Sequence, residues 1–107
     1  MKATDHVPCR QLPLANLEAA ENHVEALKAL AHLTRLKIFF FLVQSRQEVP
    51  VGAIQEALDV PGPTLSHHLD LLHRAGLVQR RRQQRNIYCS IHRELVTDLV
   101  RLLTACC

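Results

Sequence analysis

Residues 51–78 read VGAIQEALDVPGPTLSHHLDLLHRAGLV, and this stretch decides the fold. Ile54, Ala57 and Leu58 fall on one face of a helix over Val51–Leu58. The sequence Asp59-Val-Pro-Gly62 stops that helix. Pro63 opens the next one at its first position, where a fixed φ and a missing N–H cost nothing. Leu65, Leu69 and Leu72 share a face of this second helix, and Gly76 is placed to cap its end in the left-handed conformation. Two short helices joined by a few residues predict a helix-turn-helix over about residues 51–75.

The elements on either side extend this unit. Leu77–Arg82 and Asn86–Ile91 have strand character around the polar tip Gln83-Gln84-Arg85, which predicts a two-stranded wing over about 77–91. Val49–Val51 reads as a short strand. Upstream, Arg35–Gln44 is apolar almost all round, the pattern of a helix buried on most sides, with Thr34 as its N-cap. Leu12, Leu14, Leu17, Val24, Leu27 and Leu30 recur at helical spacing and predict one or two helices before His32. Residues 1–11 show no period and read as a mobile arm. From Arg93 to Cys107, Leu95, Leu99, Leu102 and Cys106 line one helical face with Val96, Val100 and Leu103 beside them. That stripe exceeds what a small domain can bury alone and predicts a dimerisation helix. The expected fold is therefore mainly α (α+β), one winged helix-turn-helix domain over 12–107 behind its arm.

Composition agrees with this assignment. The chain has 107 residues, 48% hydrophobic and 21% charged, with three Phe, one Tyr and no Trp, which suits one aliphatic, helical domain rather than a sandwich of strands. The longest apolar run, Ile38–Val43, is far below the roughly 20 residues that span a bilayer. The N-terminus lacks the apolar core of a secretory signal, so a cytoplasmic protein with reduced thiols is expected. The net charge of +3 is modest, but Arg74, Arg80, Arg81, Arg82, Arg85 and Arg93 lie in a segment without Asp or Glu. Such a cluster is either a solvated basic loop or a surface that meets phosphates. Residues 51–73, in contrast, hold no Lys or Arg and carry Glu56, Asp59 and Asp70.

The strings Ala29-Leu-Ala-His-Leu-Thr-Arg-Leu-Lys-Ile38, Leu65-Ser-His-His-Leu-Asp-Leu-Leu72 and Ala75-Gly-Leu-Val78 resemble those of the ArsR/SmtB family of bacterial metal- and metalloid-responsive repressors. The resemblance covers about residues 23–107. It departs at Leu33, where the family often has proline, and at the wing tip, which lacks the family's frequent glycine. It implies a homodimer that binds palindromic operator DNA and lets go when an effector binds. Thr64, Ser66 and His67, in the N-terminal part of the second helix, are then the candidates for base edges and nearby phosphates. Arg80, Arg81, Arg82 and Arg85 become phosphate or minor-groove contacts, although alternation along a strand forbids three consecutive arginines from pointing one way. His68, rotated about 100° from His67, reads as a hydrogen-bonded strut beneath the helix ahead of a DNA contact.

Four cysteines, Cys9, Cys89, Cys106 and Cys107, have no Cys-x-x-Cys spacing, which argues against a disulfide framework. Thiolates are the ligands that soft ions prefer, so the vicinal pair Cys106-Cys107 is the candidate site for trivalent arsenic or antimony as effector. The bland alternative is that both extend the apolar stripe. The family's Cys-x-Cys site in the first helix of the helix-turn-helix is missing, since that region reads Val49-Pro-Val-Gly-Ala53. The chain resembles the arsenic-responsive branch with cysteines at the end of the terminal helix, where a third cysteine often follows. A third ligand is sought in Cys9, Cys89 or an exogenous thiol. Cys89 shares a strand face with Ile87 and Ile91 and reads as packed, and Cys9 ranks ahead of it. A competing reading makes the thiols a redox or reactive-sulfur sensor. An enzyme is not expected, because no cysteine has a motif partner at catalytic spacing.

Overall fold

The computed structural model describes residues 19–104. Its elements run α1 (Glu21–Leu30), α2 (Leu33–Ser45), β1 (Val49–Pro50), α3 (Val51–Leu58), α4 (Gly62–Arg74), β2 (Val78–Gln83), β3 (Asn86–Ile91) and α5 (Arg93–Thr104). The expected mainly α fold with a β wing is present. The helix-turn-helix is α3 and α4, and the wing is β2 and β3. The arm, the helical turns expected before Ala19 and the three cysteines Cys9, Cys106 and Cys107 lie outside the described residues.

The core forms where one face of each helix meets the sheet. Ile38 and Leu42 of α2, Ile54 of α3, Leu65 and Leu72 of α4, Leu77, Val78 and Cys89 are almost wholly buried and pack in one cluster. Leu95 and Leu99 fasten α5 onto it. Gly76 turns the chain from α4 into β2 with φ +83°, as its position predicted, and a Cβ there would meet Leu95 Cδ2 at 3.1 Å. Both the backbone angle and the closeness of α5 require glycine.

Several local expectations change. The wing is the outer part of a three-stranded antiparallel sheet ordered β1-β3-β2, because Val49 pairs with Cys89 and Pro50 with Tyr88. α2 starts two residues earlier than expected, and its N-cap is His32 rather than Thr34. The His32 Nδ1 accepts the Thr34 N–H at 3.2 Å and does the work of a hydroxyl cap. α2 is also less enclosed than its composition suggests, since Phe40 is 54% and Val43 42% exposed. In α3 it is Ala53 that turns inward, and Ala57 is exposed. On α1 the buried positions are Ala26 and Ala29, while Val24 and Leu27 remain half-exposed; small side chains let α1 sit close to α2 and α4. Pro63 occupies the second rather than the first position of α4, with Pro61 as N-cap. The cost is still nil, because the first four N–H groups of a helix have no partner within it.

Candidate nucleic-acid interface

α4 presents two faces. Leu65, His68, Leu69 and Leu72 are buried, which leaves Thr64, Ser66 and His67 exposed together on the first turns. His68 is therefore not on the outer face. Its Nδ1 lies 3.3 Å from Arg35 Nη1, and its ring centroid is 4.8 Å from that of His32. Burial, with the neighbouring His32, Arg35 and His67, holds its pKa below the ordinary histidine value.

The wing arginines divide by strand face. Arg81 turns one way and donates to both Glu48 oxygens, Nε to Oε2 at 2.9 Å and Nη2 to Oε1 at 2.8 Å. It also donates to Gln83 Oε1 and lies 4.9 Å above the Tyr88 ring centroid. This hydrogen-bonded pair lowers the Glu48 pKa and raises that of Arg81. Arg80 turns the other way and reaches Asp70 Oδ1 of α4 at 3.4 Å, while Arg74 Nε lies 3.0 Å from Asp70 Oδ2. Arg82 Nε donates to the Gln84 carbonyl at 3.4 Å, and Arg85 stands exposed at the tip. The turn at the hairpin tip is made by Gln84 at φ +56°. Thus one arginine is folded back onto the protein, one is tied to α4, and two reach outward from the end of the hairpin.

Between α3, α4 and the wing opens a cleft of about 280 Å³, lined among others by Gly52, Ser66, Arg80, Arg85 and Asn86. The first turn of α3 faces it, and Pro50, the N-cap, has no side-chain bond to offer the free amides there. Amides at a helix start beside two guanidinium groups are suited to an anion such as a backbone phosphate. A Cβ on Gly52 would meet nothing within 4 Å, so the fold itself does not demand glycine. Gly52 and Asn86 line this cleft and were not singled out in the sequence; a glycine two residues after a proline N-cap was the available signal.

Cys89 is fully buried, and desolvation pushes its thiol up to about 11, so it is neither a ready nucleophile nor an accessible ligand. Among the described residues, no group of three or more His, Cys, Asp or Glu is placed to hold a metal ion. None of their helices is long and apolar enough to cross a membrane.

A family profile described as a helix-turn-helix domain matches residues 30–81. The chain is 34% identical over 96 residues to the biofilm growth-associated repressor of Agrobacterium fabrum, covering 89% of this chain and 80% of that protein. It is 34% identical over 91 residues to a transcriptional repressor SmtB homolog of Synechocystis, covering 85% of this chain and 67% of the relative. The solution structure of a homodimeric winged helix-turn-helix DNA-binding domain from Mycobacterium bovis, a possible ArsR-family regulator, superposes with a TM-score of 0.66. That likeness has 35% identity and covers 78% of this chain and 75% of the other. An exposed helix face beside a basic wing, on this fold and with these relatives, places the chain in the ArsR/SmtB family of winged helix-turn-helix transcriptional regulators, DNA-binding proteins and not enzymes.

Proposed function

We propose that the protein is a cytoplasmic homodimeric repressor that binds a palindromic operator and releases it when trivalent arsenic, as arsenite or methylarsenite, or antimonite binds Cys106 and Cys107. The observation that carries the reading is the vicinal thiol pair, two positions beyond Thr104 in sequence; α5, which ends at Thr104, leaves Val100 and Leu103 exposed. Two adjacent thiolates favour a soft, thiophilic centre. Cys89 is withdrawn from contention by its burial, which leaves Cys9 or a small exogenous thiol to complete a three-sulfur site.

On DNA, Thr64, Ser66 and His67 meet base edges and adjacent phosphates, and Arg80, Arg82 and Arg85 meet the backbone. Arg81 acts from behind, holding the wing through Glu48 rather than donating freely to DNA. Metalloid capture beside the dimer contact shifts the spacing of the two recognition helices, and a coupling of a few kcal/mol is enough for release. The test is a fluorescence anisotropy titration of a bound duplex with arsenite, methylarsenite, antimonite, zinc, peroxide and polysulfide. Release by the metalloids that is lost in the Cys106→Ser/Cys107→Ser protein supports the proposal. Release of that double variant by metalloid sinks it, and release by peroxide or polysulfide alone selects a thiol redox sensor instead.

A further inference from the structure

Arg35 joins three helices. It sits in the first turn of α2, its Nε donates to the Ala29 carbonyl near the end of α1 at 2.6 Å, and its Nη1 donates to His68 Nδ1 of α4 at 3.3 Å. A guanidinium has only donors, so the second bond exists only while His68 Nδ1 is bare and the ring proton sits on Nε2. His68 is 7% exposed and packed between α2 and the rest of α4. We propose that Arg35 is a positioning residue for the recognition helix, holding α4 against the end of α1 through neutral His68, and that proton uptake by His68 undoes this hold and weakens DNA binding. The inference rests on α4 being the DNA-reading helix and is independent of any effector.

The surroundings favour this sensitivity. A proton on Nδ1 turns an acceptor into a donor aimed at another donor, and adds a positive charge beside Arg35. Every neighbour that faces His68 works in the same direction: His32 at the start of α2, Arg35 on α2 and His67 on α4 all oppose its charging. The groove on the other side of Arg35 is lined by Glu25 and Lys28 of α1 and by Arg74 of α4. Its carboxylate, Glu25, lies 3.8 Å from Lys28 and does not reach His68 as a compensating charge. His68 thus binds its proton only in a loosened arrangement, and by linkage acid favours that arrangement.

The experiment uses the full chain and a duplex that the protein itself selects from randomised DNA at neutral pH. Between about pH 7.5 and about pH 5.5, affinity of the unsubstituted protein is expected to fall several-fold as His68 takes up its proton. In His68→Asn the amide oxygen replaces Nδ1 as an acceptor that does not titrate, and affinity is expected to hold or rise over the same range. Long-range nitrogen NMR of the unsubstituted protein gives a second readout that needs neither variant nor DNA. It is expected to show the Nε2–H tautomer at neutral pH, and amide exchange across residues 62–74 accelerating as His68 titrates. The inference is overturned if His68 takes up its proton without faster exchange in α4, or if His68→Asn loses affinity in acid as the parent does. Failure to select any duplex at neutral pH would instead count against the DNA-binding reading, and the exchange measurement would still decide the role of Arg35.

Discussion

At Arg81 the guanidinium already has a carboxylate, an amide oxygen and an aromatic face as partners, whereas Arg82 and Arg85 stand at the hairpin end with little but solvent around them. A phosphate contact releases a counterion, and each one adds roughly one unit to the slope of log affinity against log salt. Arg82→Ala and Arg85→Ala are therefore each expected to lower that slope by about 1 per protomer, about 2 for a dimer on its palindrome, measured by anisotropy over a series of potassium chloride concentrations. Arg81→Ala is expected to leave the slope nearly unchanged while weakening binding, because it loosens the wing rather than removing a contact. An equal loss of slope at Arg81 would place it on the DNA. Gly52 makes the complementary case. Gly52→Ala adds a methyl where the protein has open space, so stability is expected to hold or rise by about 0.5 kcal/mol. The same methyl narrows the approach to the α3 amides and is expected to reduce DNA affinity. Urea unfolding and anisotropy on the same preparation separate the two effects.

Elements differ in how far their residues announced them. α4 and its stop at Gly76 were legible because leucine spacing and one obligatory left-handed angle speak locally. Gly76→Ala is expected to cost about 1–2 kcal/mol from the positive φ alone. Contact with Leu95 Cδ2 adds to that, seen as a lower urea midpoint at unchanged slope. Helix starts were less legible, because imidazoles occupy the role usually given to Ser, Thr, Asp or Asn. His32 Nδ1 serves α2, His92 Nδ1 accepts the Leu95 N–H of α5 at 3.3 Å, and His23 Nδ1 accepts the Ala20 N–H ahead of α1 at 3.0 Å. β1 escaped as part of the sheet because a two-residue strand has no period to read. The site was legible as a basic segment, but not its division. The Glu48–Arg81 pair spans 33 residues, and only folding reveals which arginine is spent. His68 gives the element scale its pH dependence. Its folded pKa lies below the reference 6.5, so its contribution to stability is fully present above that value. The contribution is lost as pH falls from 6.5 through the lower folded value, because there the unfolded chain binds more protons. A urea midpoint that declines in that window for the parent and flattens in His68→Asn is the expected result.

For the whole molecule, the unburied apolar residues bear on the proposed dimer. Val100 and Leu103 on α5 are 54% and 61% exposed, and Val24 and Leu27 on α1 are also half-open. These residues of α1 and α5 are the contact surface of the proposed dimer, which would leave Thr64, Ser66 and His67 of each α4 free for DNA. A two-fold dimer then meets a palindrome whose half-sites lie about 34 Å apart, one turn of the duplex. Binding the second half-site becomes intramolecular, with gains of about 10²–10⁴ in apparent affinity. Val100→Asp/Leu103→Asp puts paired carboxylates against each other across the two-fold axis, and is expected to give monomers by sedimentation equilibrium. Because Leu95 and Leu99, not these two residues, hold α5 to its own core, each monomer is expected to remain folded by circular dichroism. Its affinity for an isolated half-site should stay within about twofold of the parent, while its affinity for the full palindrome falls by about 100-fold or more. Under the proposed mechanism release by metalloid should disappear with the dimer, since an effector that acts by changing the distance between two recognition helices has nothing to act on in one. A folded monomer that still grips the palindrome tightly would show that the dimer contact lies elsewhere.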